Sequence, residues 1–339
     1  MTGKPGERYV TQPFARALVA QAAEDPRLVC VTNDLTASCE ADGFRAAYPE
    51  RYLSLGMAEQ NIAGVLSGLA REGMIPVYPT FAVFATRRPY EQIALNIAYP
   101  ALPVRIFGFL PGLSTPGGAT HQSIDDVALM RQLPNMTVLE VGDATEVETV
   151  WQAIADIPGP VYCRMLRGEV RRQFTTPMVL GGVRTLARGT DAVLVTSGLM
   201  TELGTAVVDH ARGQGIQISH LHVATLKPFP ADLLSAAISA GRSGVVTAEN
   251  HLRGGALGTA VAELIAEGGL GKRLVRVGID DTFAVGGGRE YLFRRFGISG
   301  QSIAEALDAI IPGADLGRTF AADDGAGNQA TGASAIEAL

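Results

Sequence analysis

An alternation that occurs twice is what most constrains the fold of this chain. Between residue 8 and residue 172, apolar segments at 28–32, 75–78, 104–107, 136–139 and 161–163 are separated by segments of helical periodicity at 58–71, 88–99, 124–132 and 144–157. A further helical pattern over 11–23 leads into the first of them. A run such as Leu28-Val29-Cys30-Val31-Thr32 is apolar at successive positions rather than alternate ones, as a strand covered on both faces must be. Strands alternating with helices predict a mostly parallel sheet with helices on either side, an α/β doubly wound domain over 8–172. The alternation resumes at residue 190, with strands at 192–196, 216–222, 243–248 and 274–278 and helices at 201–214, 231–240, 256–266 and 302–311. It predicts a second doubly wound domain over 190–312. The mixed stretch 173–189, with Thr175-Thr176-Pro177 and Gly181-Gly182, reads as a linker. From Gly313 onward Gly, Ala and Asp accumulate without periodicity, so 313–339 is expected to be a disordered tail.

Composition narrows the function classes. A length of 339 residues, with 47% hydrophobic and 18% charged, suits two well-buried domains. A formal net charge of −6 and the lack of any Lys/Arg cluster argue against nucleic acid or an anionic membrane as partner. The apolar runs are strand-length, too short to span a bilayer. Met1-Thr2-Gly3-Lys4-Pro5-Gly6 carries no apolar segment of a signal peptide. Cys30, Cys39 and Cys163 lack metal-ligand spacing, and a cytoplasmic setting is expected.

In doubly wound sheets, functional groups collect at the carboxyl ends of the strands. Asp34, Thr80 and the loop after Phe107 take that position. Leu55-Gly56-Met57-Ala58-Glu59-Gln60-Asn61 sets one carboxylate at a helix start, where a glutamate ordinarily serves the helix dipole in solvent. Phe81 and Phe84, in Thr80-Phe81-Ala82-Val83-Phe84, are three apart and equally fit a core stripe. Asp34 equally fits a helix N-cap after a strand. His121 is the only histidine of the first domain; it follows a Gly/Pro-rich loop and precedes the helix-start pattern Ser123-Ile124-Asp125-Asp126. Gly286-Gly287-Gly288 lacks the Lys-Ser/Thr of a phosphate loop and reads as a plain loop.

Together, Asn33-Asp34-Leu35-Thr36-Ala37-Ser38, Gly56-Met57-Ala58-Glu59-Gln60-Asn61 and Thr80-Phe81-Ala82-Val83-Phe84 closely resemble the transketolase family, in the half that binds the pyrimidine end of thiamine diphosphate. Thr225-Leu226-Lys227-Pro228-Phe229 and Ala248-Glu249-Asn250-His251-Leu252-Arg253-Gly254-Gly255 resemble the family's C-terminal domain. The resemblance spans about residues 8 to 312. It implies a pyrimidine-binding domain over 8–172 followed by a transketolase C-terminal-like domain. It implies that Glu59 shares a proton with the cofactor's aminopyrimidine, whose imino form then deprotonates the thiazolium carbon. Phe81 and Phe84 would flank the pyrimidine, with Phe84 the main stacking partner, and Asp34 would lie near the thiazolium and the subunit interface. His121 would sit beside the reacting carbonyl, stabilising alkoxide charge or relaying a proton. Ser38 and Arg167 would contact the substrate, Arg167 at its distal anion, with Arg164 the alternative for that role. Glu249 and His251 are expected in packing and interface.

Departures from the family pattern bear on substrate and assembly. Thr11 is followed by Gln12 where sugar-phosphate transketolases carry an arginine. Phe109-Leu110-Pro111 stands where they place a histidine, and Ser114-Thr115-Pro116-Gly117-Gly118 lacks their acidic pair. Arginine is the bidentate phosphate ligand and glutamine lacks its charge, which argues against an ordinary sugar phosphate on one side of the reaction. The expected acceptor is a specialised aldehyde, with attachment to a carrier protein one form of it. The Gly-Asp-Gly…Asn motif that holds the metal and diphosphate is absent; Gly142-Asp143-Ala144 lacks its second glycine. No metal ligand is therefore expected in this chain. A separate α-type subunit would supply the diphosphate-binding half and most of the Mg²⁺ site, in an α2β2 assembly. The leading reading is a β-type subunit of a two-component transketolase moving a two-carbon ketol unit from a ketose to an aldehyde. The alternatives are a 2-oxoacid dehydrogenase E1 β subunit, a 1-deoxyxylulose-phosphate synthase-like condensation and a catalytically silent scaffold.

Overall fold

The computed structural model describes residues 9–327, which divide into two compact units. Unit 1 comprises residues up to Pro111, Thr120–Gly181 and Thr225–Pro228; unit 2 comprises Gly112–Ala119, Gly182–Ala224 and the chain from Phe229.

In unit 1 the strands are β1 (Tyr9–Thr11), β2 (Leu28–Thr32), β3 (Tyr52–Ser54), β4 (Ile75–Phe81), β5 (Arg105–Phe109), β6 (Thr137–Glu140), β7 (Val161–Arg164) and β8 (Glu169–Arg171). A seven-stranded sheet runs in the order Thr225–Lys227, β6, β7, β5, β4, β2, β3; all its pairs are parallel except the one between Thr225–Lys227 and β6. Every residue of β2, β5, β6 and β7 is buried, which explains why these strands are mostly apolar at successive positions, with Arg105, Thr137, Glu140 and Arg164 the buried polar exceptions besides Thr32. The chain moves from β2 to β3 on one side, then returns to place β4 on the other side of β2. That reversal is a topological switch point, the crevice where such sheets hold ligands.

The helices of unit 1 follow their sequence signals with instructive exceptions. Glu59–Arg71 buries Ile62, Leu66 and Ala70, spaced four apart along one face, with Ala63 beside them. The helix expected over 11–23 begins only at Pro13 and runs to Glu24. Thr11 is the end of β1, which pairs antiparallel with β8, and proline without an N–H suits the first helical position. The helix expected over 88–99 is broken up. Pro89 delays its start to Tyr90–Gln92, and Ile93–Ala98 is π-helical, with Tyr99 N donating to the Ala94 carbonyl at 2.8 Å.

Unit 2 carries β9 (Val183–Ala187), β10 (Ala192–Thr196), β11 (Ile218–Val223), β13 (Val245–Leu252) and β14 (Leu274–Ile279); Thr225–Lys227 is β12 in chain order. Its sheet runs β14-β13-β10-β11-β9, parallel except for β9 against β11. Three sequence expectations are corrected. Residues 183–187 lie in the stretch read as a linker but form edge strand β9, whose mixed composition reflects half-burial. Thr225–Lys227, read within the second domain, pairs with β6 of the first sheet. The stretch expected to be a disordered tail contains the helix Leu316–Gly327. Asp308 caps that helix, accepting from Leu316 N at 2.7 Å and Gly317 N at 2.8 Å, and the Phe320 ring lies 5.5 Å from His210. The rest of that expectation, 328–339, lies outside the described residues. Gly286-Gly287-Gly288 is a loop, followed directly by the helix Arg289–Arg295. Among the described residues no helix is long and apolar enough to cross a membrane.

Candidate active site

Glu59 is the first residue of its helix, after Gly56 (φ 70°) and Ala58 turn the chain away from β3. Its side chain faces inward and is only 4% exposed. A buried carboxylate needs partners, and Glu59 takes two on Oε1. Arg88 Nη1 donates at 2.8 Å and Asn33 Nδ2 at 3.5 Å. Asn33, one residue past β2, also donates to Thr80 Oγ1 on β4 at 2.9 Å. The switch point between β2 and β4 is therefore closed by a side-chain bond that leads to Glu59.

Aromatic rings border this carboxylate. Phe81 ends β4, and Phe84 lies one turn into the short helix Ala82–Thr86. Their centroids are 5.8 Å apart with planes 30° from parallel. His121 meets Phe84 edge-on at 5.4 Å and Phe81 at 6.3 Å. Its Nδ1 is 2.9 Å from Thr120 Oγ1. The Arg88 guanidinium, besides holding Glu59, lies 4.1 Å from the Phe84 ring centroid, inside the cation–π range. Arg87 faces another way and clasps Asp125 with Nε at 2.9 and 3.0 Å from its two oxygens. Tyr78, on the same face of β4 as Thr80, has its hydroxyl pKa raised by burial and then by the Glu59 carboxylate.

The structure thus brings Phe81, Phe84 and His121 together, and Arg88 links the Phe84 ring to Glu59. Arg167 and Ser38 form a second group, in which Arg167 Nη1 donates to the Ser38 carbonyl at 2.9 Å, so the serine's backbone rather than its hydroxyl makes the contact. Asp34 is exposed in the turn after β2, with no bond to either group. Arg164 is excluded as the alternative to Arg167. It is fully buried, bonded to Asp126 (Nε to Oδ2, 2.7 Å), to Glu140 at 3.0 Å and to the Ser123 carbonyl at 3.0 Å. Burial opposes its charge, but Asp126 and Glu140 outweigh burial and hold its pKa above the usual arginine value. Glu249 accepts from Gly258 N at 2.9 Å, and His251 Nδ1 lies 2.7 Å from the Leu252 carbonyl, both buried in unit 2.

Two members of the first group carried little sequence signal. Asn33 stands in a motif of the family resemblance, but nothing there points to its bond with Glu59. Arg88 falls inside a segment that reads as a helix, and only the break at Pro89 turns it toward Glu59. Among the described residues no cluster of three or more His, Cys, Asp or Glu could hold a metal ion. The groups gathered here are one buried carboxylate, a carboxamide, an arginine and stacked aromatic rings, which fit a flat, protonatable heteroaromatic ring.

Comparison with known proteins agrees with that chemistry. The family model of the transketolase pyrimidine binding domain matches residues 8–173, and that of the transketolase C-terminal domain matches 181–303. The chain is 40% identical over 300 residues to the transketolase family protein y4mN of Sinorhizobium fredii, covering 87% of each. It is 35% identical over 308 residues to the 6-deoxy-6-sulfo-D-fructose transketolase subunit SqwH of a Clostridium species, covering 90% of this chain and 95% of that one. A solved split-gene transketolase, an inactive β4 tetramer, superposes with a TM-score of 0.81 at 36% identity, covering 88% of this chain and 96% of that one. The chain belongs to the transketolase family.

Proposed function

We propose that this chain is the β-type subunit of a two-component, thiamine diphosphate-dependent transketolase that transfers a two-carbon ketol unit from a ketose to an aldehyde. The observation that carries the reading is Glu59, buried at the switch point of the first sheet and joined through Arg88 to the Phe84 ring, beside which Phe81 and His121 lie. Relatives described as subunits of split transketolases support the two-component form.

The residues present fit the pyrimidine end of the cofactor, which when bound supplies a nucleophilic carbon for attack on the donor's carbonyl. Glu59 would hold a proton against the ring nitrogen, with Asn33 fixing the carboxylate's position. Phe84, and behind it Phe81, would fix the ring plane and exclude water, so that the proton moves along one path. Asp34 would face the thiazolium side. His121, oriented by Thr120, would meet charge developing on the substrate oxygen. Ser38 and Arg167 would bind the substrate's far end. The diphosphate and Mg²⁺ belong to an α-type partner, since the Gly-Asp-Gly…Asn motif is missing here, and α2β2 is the assembly proposed. A specialised acceptor, free or held on a carrier protein in the cytoplasm, follows from Gln12 and the uncharged loop 114–118.

The test is reconstitution with a companion chain that carries the diphosphate motif, followed by steady-state ketol transfer to paired phosphorylated and non-phosphorylated aldehydes. Transfer that needs both chains and favours the non-phosphorylated acceptor supports the reading. Preference for ribose 5-phosphate would remove the specialised acceptor. Reductive acylation of a lipoyl domain would replace the reading with a 2-oxoacid dehydrogenase subunit.

A further inference from the structure

Glu40 has a place in none of the roles above, yet it is 2% exposed and sits in left-handed backbone (φ 56°), a conformation uncommon for a residue with a side chain. Its carboxylate reaches across the fold to two backbone donors. Oε1 accepts from Gly168 N at 2.7 Å, next to Arg167, and Oε2 accepts from Ala15 N at 3.3 Å, in the first turn of the helix Pro13–Glu24. That helix has no side-chain cap of its own, and Gln12 at its N-cap is exposed and also left-handed (φ 46°). Gln12 N donates to the Gly168 carbonyl at 2.7 Å, and Arg167 Nη1 donates to the Ser38 carbonyl at 2.9 Å. One buried carboxylate thus joins the Arg167-Gly168 turn to the start of a twelve-residue helix, and Gln12 and Ser38 are each bonded to that same turn.

A helix N-terminus with an arginine beside it attracts anions through oriented N–H groups and the helix dipole. Here those donors already hold an internal anion. We propose that Glu40 is a positioning and selecting residue of the subsite for the substrate's distal end. It fixes the Arg167-Gly168 turn against the helix start, and its charge offsets that of Arg167, so the subsite favours an uncharged, hydroxylated end over a phosphate dianion. This rests on the reading of Ser38 and Arg167 as substrate contacts.

The test compares wild type with Glu40→Gln, which keeps an acceptor oxygen and removes the charge, and Glu40→Asp, which keeps the charge. In the reconstituted enzyme, the ratio of kcat/KM for erythrose 4-phosphate to that for erythrose should rise about tenfold in Glu40→Gln, mainly through KM, and stay near wild type in Glu40→Asp. Equal losses on both acceptors would reduce Glu40 to a structural cap and overturn the proposal. Should Glu40→Gln not fold, Gln12→Arg in the wild-type background takes its place. With Glu40 present the added cation should raise the ratio less than about threefold, and a rise of about a hundredfold would overturn the proposal. Calorimetric titration of each folded chain with inorganic phosphate reads the same site without catalysis. Tighter phosphate binding by Glu40→Gln with no ketol transfer in any protein would sink the transketolase reading and leave the anion-selecting role standing.

Discussion

Glu59 in the first unit and Glu249 in the second are both buried glutamates near the carboxyl end of a parallel strand, yet their surroundings differ in kind. Glu249 Oε1 accepts from the backbone of Gly258 at 2.9 Å, and a Cβ added at Gly258 would lie 2.7 Å from that oxygen. The helix backbone thus comes into direct contact with this carboxylate. Glu59 is held by side chains, and one of them, Arg88, is half exposed, at 49% for its side chain. A carboxylate bound by backbone is part of the fold. One bound by a half-exposed side chain has a partner that can be exchanged, the arrangement that the proposed proton transfer to a ligand requires. Glu40 follows the first pattern, which is why it reads as a positioning residue rather than a catalytic one.

The comparison is sharpened most strongly at Glu59 itself. Glu59→Gln should fold, with a thermal midpoint close to wild type, and lower kcat of the reconstituted enzyme by about 10²–10⁴, the range of a lost acid–base group. A midpoint many degrees lower with kcat intact would place Glu59 in the same class as Glu249. His121→Ala should come next, with a loss in kcat of about 10² as expected for removal of one group that stabilises developing charge, and little effect on cofactor affinity.

The mirror experiment is Gly258→Ala in the second unit. Contacts of 2.7 Å to Glu249 Oε1, 2.9 Å to Arg276 Cδ and 3.0 Å to Thr247 Oγ1 leave no room for a methyl group. The variant should lose about 1–3 kcal/mol of stability, as overpacking does. Its activity per folded molecule should be unchanged. A chemical denaturation curve set against specific activity separates the two.

The last effect concerns pH. His220 in unit 2 is buried and bonded through Nε2 to Thr196 Oγ1 at 2.9 Å, while Thr201 Oγ1 is 2.7 Å from His222 Nδ1. Burial, and then His222, push the His220 pKa down to about 3. The folded state thus binds this proton less readily than the unfolded state, so its contribution is fully present above about pH 6.5 and is lost as pH falls from there toward 3. The slope is at most about 1.4 kcal/mol per pH unit. Burial raises the carboxyls of Glu40 and Asp143, and these act in the opposite sense over the same range. The His220 contribution is therefore read as the difference in urea midpoint between wild type and His220→Asn from pH 4 to 6.5, on the order of one proton.

The sequence makes legible whatever is periodic or fully buried. Strands Leu28–Thr32 and Ala192–Thr196 and helix Ala231–Ala240 occur at their expected bounds because their apolar patterns begin and end with the element. Short edge strands such as β3 and β9 are half-wet and carry no such pattern. The pairing of Thr225–Lys227 with β6 is a matter of tertiary topology that three residues cannot encode locally. The helix Leu316–Gly327 is capped by Asp308, eight residues before its start, and packs at His210, which is distant in sequence. At the site, the family motifs contain Glu59, Phe81, Phe84 and His121. Arg88 and Glu40 make contacts 29 and 128 residues away that no local spacing announces, and Asn33, although inside a quoted motif, shows no sign there of its bond to Glu59, 26 residues on.

The central claim, that this chain holds the pyrimidine half of a divided cofactor site, is tested most directly by the thermal shift with thiamine diphosphate and Mg²⁺. The chain is measured alone and then with its diphosphate-binding companion. At a hundredfold excess over Kd, binding should add about 2.7 kcal/mol, a shift of a few degrees, in the pair and not in the single chain. A full shift with this chain alone would mean that the site is not divided. No shift in either would contradict the account altogether.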